Sequence, residues 1–252
     1  MKEKQHSSII RTLWFHFYHE LNDFLPSARQ SIVFPCQFVG SPSIKDVIEA
    51  NGVPHTEIDL ILVSGKSINF DYRVQGGEQV CVYPQCELFV SIPLIHLHPK
   101  PLPEIKFIVD VNLGKLAIKL RLLGFDTLYK NDFADREIVE LSLREQRIIL
   151  TRDKGVLTYR AARHGYWVRD DDPKKQLKEV VRRLQLQNDF HPFTRCSDCN
   201  TQLQHIDKAL IKERLADKTL QFVDDFMLCP GCKKIYWQGS HSERFRKYID
   251  EL

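Results

Sequence analysis

The chain has 252 residues, 43% of them hydrophobic, and 36 basic residues stand against 33 acidic ones, for a net charge of +3. This composition excludes wholesale disorder, and the charge is too small to indicate nucleic-acid binding without a local basic patch. The sequence contains no apolar run of the roughly 20 residues that a membrane span requires, and its first residues lack the apolar run that is typical of a signal peptide. We therefore expect a cytoplasmic protein without a membrane partner.

The first third of the chain alternates short apolar runs with turn residues. The pattern predicts one helix that begins at an N-cap, Ser43, and ends at Asn51. Four strands are predicted from the apolar runs, at Ile9–Phe17, Gln30–Phe34, Leu60–Val63 and Glu78–Val82. Strands around one helix indicate a small α+β domain, which we place at residues 1–99.

One segment of this region resembles the ubiquitin-like (β-grasp) sulfur-carrier family. Its sequence is SIKDVIEANGVPHTEIDLILVSGKSINFDYRVQGGEQVCVYP. Those carriers end in a free Gly-Gly, whereas Gly76 and Gly77 are followed here by another 175 residues. Glycine also suits a turn before a hairpin strand because it tolerates positive φ. The resemblance therefore implies a docking role toward a protein partner more than sulfur-carrier chemistry.

A proline-rich segment, IHLHPKPLPEI, separates this domain from the next one. Its prolines favour an extended connector, and we place the linker at residues 100–105. Strand and helix patterns then alternate over residues 106–190, which predicts a mostly parallel sheet with helices on its faces. The predicted strands are Phe107–Val109, Phe125–Tyr129, Ile148–Leu150 and Tyr166–Val168, and the helices include Val156–Arg163 and Lys174–Leu186.

Aspartates follow the ends of these strands. Asp110 follows the first, Asp132 and Asp135 the second, Asp153 the third, and Asp170–Asp172 the fourth. In an open parallel sheet, ligands bind beyond the carboxyl ends of the strands, and clustered carboxylates suit Mg²⁺ or Mn²⁺. Each aspartate taken singly also fits an ordinary loop or N-cap position, and Asp135 is the natural N-cap of the next helix. The spacing alone leaves both interpretations open.

Four of the seven cysteines form two close pairs, Cys196-x-x-Cys199 and Cys229-x-x-Cys232. Two such turns can present four thiolates to one zinc ion in a closed, structural site. This use of cysteine fits a reducing compartment better than a disulfide framework. We therefore predict a zinc ribbon at residues 191–252.

The central and terminal segments together resemble the PIN-like ribonuclease family found at the carboxy terminus of the Mut-seven exonuclease. The resemblance is carried by FIVDVNLGKLAIKLRLLGFDTLY, NDFADREIVELS, RIILTRDKGVL, PFTRCSDCN and CPGCKKIYWQGSHSERF. It implies a metal-dependent ribonuclease in which Asp110, Asp135 and Asp153 bind the catalytic Mg²⁺ or Mn²⁺. Arg152 would then contact a phosphate or pair with a neighbouring carboxylate, and the fourth acid would come from Asp170–Asp172.

Basic and aromatic residues near the proposed site offer RNA contacts. Lys174 and Lys175 open a basic helix, and His241 follows the aromatic pair Tyr236 and Trp237. Such residues can neutralise phosphates and stack on bases, but the aromatics also fit a cover over the zinc core, and the lysines a solvated helix face.

The favoured function is a Mg²⁺- or Mn²⁺-dependent ribonuclease with a structural zinc ribbon that aids RNA binding. One alternative is a non-catalytic RNA-binding adaptor that retains the fold with an incomplete metal site. Another is a ubiquitin-like or sulfur-carrier-related interaction protein, in which residues 1–99 carry the function.

Overall fold

The computed structural model describes residues 9–84, 94–97 and 102–252. The chain divides into two compact units, the first comprising Met1–Pro101 and Asp153–Trp167, the second Leu102–Arg152 and Val168–Leu252. The predicted linker at 100–105 lies partly outside the described residues, and the predicted domain boundaries remain a prediction.

The first unit contains a five-stranded mixed sheet around one helix. Its elements are β1 (Ile10–Phe17), β2 (Phe34–Val39), α1 (Ile44–Ala50), β3 (Leu60–Val63), β4 (Lys66–Ile68) and β5 (Gln79–Tyr83). The strand order is β2-β1-β5-β3-β4, with β1 parallel to β5 and the other pairs antiparallel. This is the β-grasp arrangement, so the predicted ubiquitin-like fold is confirmed.

Local chemistry explains where α1 and β2 begin. The hydroxyl of Ser43 accepts a hydrogen bond from the Asp46 backbone at 3.2 Å, so the predicted N-cap is confirmed. The predicted strand at Gln30–Phe34 is wrong, because β2 starts at Phe34. The residues before it form a turn, in which Ser31 has φ 56° and the Gln30 side chain donates to the Leu25 carbonyl.

The next eight elements alternate strand and helix along the chain. They are β6 (Lys106–Val109), α2 (Gly114–Leu122), β7 (Asp126–Tyr129), α3 (Asp135–Glu145), β8 (Ile148–Thr151), α4 (Lys154–Thr158), β9 (Gly165–Trp167) and α5 (Pro173–Arg183). In the second unit, β6 pairs in parallel with β7 on one side and β8 on the other. The side chains of Phe107, Ile108 and Val109 are buried, as expected of a central strand. The predicted parallel α/β sheet is confirmed.

The segment Asp153–Trp167 packs within the first unit, which sequence patterns did not indicate. The Trp167 backbone donates to the Glu57 carboxylate at 2.7 Å, and the Trp167 ring lies 4.9 Å from that of Phe24. The His55 ring nitrogen Nε2 lies 2.9 Å from the Ala162 carbonyl oxygen. Helix α4 is shorter than the predicted Val156–Arg163 because Tyr159 leaves helical geometry, with ψ 130°.

The carboxy-terminal part of the second unit is a small antiparallel sheet with two helices. Its elements are β10 (Gln204–Ile206), α6 (Asp217–Phe222), β11 (Phe226–Leu228), β12 (Ile235–Trp237) and α7 (Ser240–Ile249), with strand order β10-β11-β12. In the part of the chain that the structure describes, no helix has the length and apolar character needed to cross a membrane.

Candidate functional site

The first cysteine pair lies in a tight turn between the α/β sheet and β10. The Cys196 backbone donates to the Thr201 carbonyl at 2.9 Å, and the Asn200 backbone donates back to the Cys196 carbonyl at 3.0 Å. Within the turn, the Cys199 N–H points at the Cys196 sulfur, 3.4 Å away. Backbone donors aimed at sulfur stabilise a thiolate.

The second cysteine pair repeats this turn between β11 and β12. Cys229 donates to the Lys234 carbonyl at 2.9 Å, Lys233 donates to the Cys229 carbonyl at 2.9 Å, and the Cys232 N–H points at the Cys229 sulfur at 3.4 Å. Both turns end in a non-glycine residue with a left-handed backbone, Asn200 at φ 69° and Lys233 at φ 64°. The two CxxC motifs are therefore matched turns that present their sulfurs in the same way.

The four cysteine sulfurs lie within 4.8 Å of one another. Two of the separations are 3.5 Å, between Cys196 and Cys232, and 3.3 Å, between Cys199 and Cys229. A tetrahedral zinc ion with bonds of about 2.3 Å requires sulfurs about 3.8 Å apart, so these residues can hold such an ion after a small rearrangement of their side chains. Within residues 9–84, 94–97 and 102–252, this is the only cluster of three or more ligand-type side chains found.

The surroundings of the cluster favour a bound cation. Burial raises the pKa of Cys199, but hydrogen bonds with Thr201 and neighbouring cysteines outweigh it and bring the pKa to about 6. The Tyr236 hydroxyl oxygen lies 3.0 Å from the Cys196 sulfur, and burial raises the pKa of that phenol. The hydroxyl therefore remains protonated and can donate a hydrogen bond to the Cys196 thiolate. A Cβ added at Gly231 would meet Thr201 Oγ1 at 2.7 Å, so the second turn requires glycine there.

Asn200 connects the first cysteine turn to strand β7, which has β6 on one side only. Its side-chain oxygen accepts from the Thr127 backbone at 3.0 Å, and its amide nitrogen donates to the Asp126 carboxylate at 2.8 Å. Asp126 also accepts from Arg147 at 2.6 Å. Burial raises the pKa of Asp126, but the hydrogen bonds from Arg147 and Asn200 outweigh it and hold that pKa below its ordinary value.

Arg121 makes a second connection between helix α2 and the cysteine turn. Its Nε donates to the Thr127 carbonyl at 2.9 Å, while NH1 donates to the carbonyls of Ser197 at 3.1 Å and Asp198 at 2.7 Å. The residue is buried; this burial lowers the pKa of its guanidinium, and the nearby Cys196 and Cys199 act in the opposite direction. The cysteine cluster is thus held against the α/β sheet by buried polar contacts, in one compact unit.

Asp110 occupies the carboxyl end of the central strand β6. It is only 3% exposed, and its backbone nitrogen donates to the Leu150 carbonyl of β8 at 3.0 Å. One carboxylate oxygen accepts from the Val111 backbone at 2.6 Å, and the other accepts from the Thr151 hydroxyl at 2.7 Å. Each oxygen keeps a lone pair after these bonds, so the carboxylate is fixed in orientation and still able to bind a cation.

The other two predicted acids are exposed and sit at helix N-termini. Asp135 is the first residue of α3 and belongs to the second unit; the predicted N-cap role is wrong, because the chain is extended at Ala134, which is the N-cap. A carboxylate in the first turn is favoured there by the helix dipole. Asp153 belongs to the first unit and caps α4, accepting from the Gly155 backbone at 2.7 Å. Their role as metal ligands remains a prediction.

The predicted RNA-contacting residues have varied surroundings. Arg152 lies 2.5 Å from the Asp171 carboxylate and also donates to the Asp170 carbonyl, so it pairs with a neighbouring carboxylate. Lys174 and Lys175 are exposed in the first turn of α5, whose N-cap Asp172 accepts from both backbones. His241 lies in the first turn of α7, and its side chain is outside the part of the chain that the structure describes.

Comparison with known families gives two matches. Residues 105–249 match a family model described as the Mut7-C RNAse domain, and residues 10–90 match one described as Mut7-C ubiquitin. The resemblance identified from the sequence is confirmed in both parts, in the same order. Comparisons with curated proteins and with solved structures found no match.

Proposed function

Because the chain belongs to the Mut7-C RNAse domain family, we propose that it is a Mg²⁺- or Mn²⁺-dependent, PIN-like ribonuclease. Asp110, Asp135 and Asp153 would hold the catalytic ion, and RNA is the substrate. The alternative, a non-catalytic adaptor, would bind RNA without cleaving it. The cleavage experiment described below distinguishes the two functions.

The observation that carries the proposal is the environment of Asp110. A buried carboxylate at a strand end costs free energy unless it is hydrogen-bonded, and Asp110 receives one donor on each oxygen. After these two bonds, each carboxylate oxygen of Asp110 keeps a lone pair that no described residue uses. The two bonds fix the orientation of the carboxylate, and an oriented, buried carboxylate with spare lone pairs is what a hard divalent cation binds.

A bound Mg²⁺ or Mn²⁺ would lower the pKa of a water and offset the charge that builds on the phosphate. The role of this chain is to supply and orient the oxygen ligands. Thr151 positions Asp110 through its hydroxyl, and Gly155 positions Asp153 through its N–H. Arg152 would reach a phosphate only by exchanging its Asp171 partner, since the two groups are paired.

The four cysteines would hold a structural zinc ion, which suits a reducing compartment such as the cytoplasm. Four protein ligands leave no position for water, so this ion takes no part in cleavage. Its contribution is to fix the first cysteine turn, and with it Asn200 and the contacts of Arg121, against strand β7. In this way the cysteine turns would stabilise the α/β sheet, and the zinc ribbon would present a surface for RNA.

The β-grasp domain would serve as a docking domain for a protein partner. Its Gly-Gly lies inside the chain, where Gly76 and Gly77 have φ 97° and 89° and lead into β5. The Gly77 backbone donates to the Thr12 carbonyl at 2.7 Å, and the Glu78 carboxylate accepts from Gly76 at 2.6 Å. These bonds give the two glycines a structural task within the sheet.

Cleavage of end-labelled RNA by the purified, zinc-loaded protein tests the proposal. We expect cleavage that requires added Mg²⁺ or Mn²⁺. Because the nucleophile is a water and not the ribose 2′-hydroxyl, a 2′-deoxy substitution at the cleavage site should be tolerated, and no 2′,3′-cyclic phosphate should form. Salt-sensitive RNA binding without cleavage under any divalent metal would favour the adaptor instead.

A further inference from the structure

A cavity of the second unit is lined by residues around the β11–β12 hairpin and helix α7, and Asp110 is not among them. Its volume is about 340 Å³, and its walls come from the 192–195 segment, the β11–β12 hairpin and α7. The side chains that matter for its chemistry are Phe193, Tyr236, Trp237, Phe245 and Arg246. Four aromatic rings therefore line one cavity.

The rings are arranged for an inserted partner. Phe193 and Phe245 meet edge to face, with centroids 6.0 Å apart and planes at 74°. Trp237 stays 43% exposed, whereas a ring that only covered the zinc core would be buried. A nucleobase is flat, and about 340 Å³ gives it room beside an aromatic face.

Phe193 adopts a backbone conformation that bulky residues avoid. Its φ is 63°, and the conformation is maintained by a hydrogen bond from its backbone to the Leu122 carbonyl at 2.9 Å. The preceding chain passes so close to helix α2 that a Cβ at Gly124 would lie 2.2 Å from the His191 carbonyl oxygen. Strained residues of this kind can occur at ligand sites, and the Phe193 ring lines the cavity.

Polar groups at the rim suit a nucleotide. The Arg246 side chain is exposed, and its guanidinium lies 5.1 Å from the Phe193 ring centre. Gln238 and Asp225 also line the cavity and offer a donor and acceptors to a base edge. An exposed guanidinium stacked on a ring is a common platform for a base or a phosphate.

Three lysines of helices α2 and α5 surround Tyr248 of α7, whose Phe245 lines the cavity. Lys119, Lys174 and Lys178 each place the ammonium 5.6–5.7 Å from the Tyr248 ring centre, and Lys119 lies 5.9 Å from the Phe245 ring. Burial and the neighbouring Lys174 lower the pKa of Lys119. Glu251 pairs with Lys178 at 3.8 Å, and Asp172 is among the charges that act on Lys119, so the three ammonium groups are partly neutralised. Phosphates of a single-stranded nucleic acid can contact the positive charge that remains.

We propose that this cavity binds a nucleobase of single-stranded nucleic acid, while Lys119, Lys174 and Lys178 contact the flanking phosphates. The inference rests on the proposed function, in that RNA is the ligand, and it adds a binding subsite separate from Asp110. An aromatic cavity with cationic edges fits a nucleotide better than an apolar peptide, which has no phosphates for the lysines.

The test is the affinity of a labelled single-stranded oligoribonucleotide for the zinc-loaded protein without Mg²⁺ or Mn²⁺, measured by fluorescence anisotropy. Stacking of one base makes Trp237→Ala bind about 5- to 150-fold more weakly. Trp14→Ala is the matched control, because Trp14 is 40% exposed on the β-grasp sheet and should leave binding unchanged. If Trp237→Ala disturbs folding, Arg246→Ala repeats the test, because Arg246 is exposed.

Two further arms separate a direct contact from a structural effect. An oligonucleotide with abasic positions should bind wild type more weakly, but the loss should shrink in Trp237→Ala, since the contact is already gone. Replacing both Lys119 and Lys174 by alanine should reduce the slope of log affinity against log salt by about 1.4. Zinc content and thermal unfolding establish that each variant is folded.

Equal affinities of folded Trp237→Ala, Arg246→Ala and Trp14→Ala would overturn the inference, as would equal losses on abasic substitution in wild type and variant. Failure of the proposed function gives a different result. If the protein cleaves RNA with Mg²⁺ while these variants bind normally, only the subsite is wrong. If binding depends on Trp237 but no metal supports cleavage, the subsite holds and the ribonuclease proposal fails.

Discussion

The side-chain oxygen of Asn200, in the first cysteine turn, accepts a hydrogen bond from the backbone nitrogen of Thr127, in strand β7, at 3.0 Å. Because β7 has a strand partner on one side only, this bond satisfies a donor that the sheet leaves without one. The same side chain donates to Asp126 at 2.8 Å. The cysteine turn therefore completes the edge of the α/β sheet.

Replacement of Asn200 tests this connection. Asn200→Ala should lower the free energy of unfolding by about 1–3 kcal/mol more than Lys233→Ala, because it leaves the buried Thr127 donor without a partner and removes one of the hydrogen bonds to Asp126. Lys233 is the matched control, since it has the same left-handed backbone in the second turn and an exposed side chain. Urea unfolding of the two zinc-loaded variants gives the difference, and equal losses would show that the Asn200 contacts contribute nothing.

The ion pair of Asp126 predicts a pH dependence. The pKa of Asp126 in the folded protein lies below its ordinary value of 3.8. Its ionised form therefore stabilises the fold fully above that value, and the contribution disappears as the pH falls through the lower, folded pKa. Asp126→Asn should cost about 1.5–3 kcal/mol at neutral pH, and its difference from wild type should narrow below about pH 4.

Unfolding measured by denaturant at several pH values checks this. Asp132→Asn is the control, because Asp132 is exposed and the same chemical change there should matter little at any pH. Each variant is compared with wild type at the same pH. The effect of cysteine protonation on the free energy of unfolding is common to both proteins and therefore cancels. A difference between Asp126→Asn and wild type that stays constant as the pH falls would contradict the account.

Removal of one zinc ligand should abolish metal binding. Cys229 is fully buried, so Cys229→Ser should eliminate bound zinc and destabilise the second unit by much of the roughly 10–16 kcal/mol that structural zinc contributes in small modules. Cys81→Ser is the control, since Cys81 is a half-buried thiol in the β-grasp sheet. Elemental analysis and thermal unfolding give the result. Full zinc content in Cys229→Ser would refute the four-cysteine site.

The Thr151 hydroxyl should act as a positioning group for Asp110. Thr151→Val leaves one carboxylate oxygen without its donor, and changes to such second partners typically cost about 10- to 100-fold in metal affinity or activity. We expect the Mn²⁺ concentration for half-maximal cleavage to rise by that factor, while Thr219→Val, in α6, leaves it unchanged. An unchanged metal requirement in folded Thr151→Val would exclude the role.

The sequence predicted the parts of the fold that depend on local pattern. CxxC spacing identified the four cysteines that the structure brings together, and apolar runs identified most strands of the β-grasp sheet and of the parallel sheet. The contacts of Asn200 and Arg121 could not be found in this way, because each joins residues more than 70 positions apart. The packing of Asp153–Trp167 within the first unit could not be predicted for the same reason.

The candidate catalytic site was only partly accessible from sequence. The end of an apolar strand pointed to Asp110, but its burial and its Thr151 partner depend on strand pairing. Asp135 was expected to cap α3, and one residue of difference in where the helix starts moved the cap to Ala134. Helix boundaries shift easily by a residue, since the backbone conformation before the first turn is not encoded by periodicity.

The most direct measurement is the single-turnover rate of RNA cleavage, with Mg²⁺ or Mn²⁺, by zinc-loaded Asp110→Asn and Asp132→Asn. Both changes remove one carboxylate, but only Asp110 is buried and oriented by two donors. We predict at least about a 100-fold loss for Asp110→Asn and a rate close to wild type for Asp132→Asn. Wild-type cleavage by folded Asp110→Asn would contradict the assignment of Asp110 as the buried ligand of the catalytic metal.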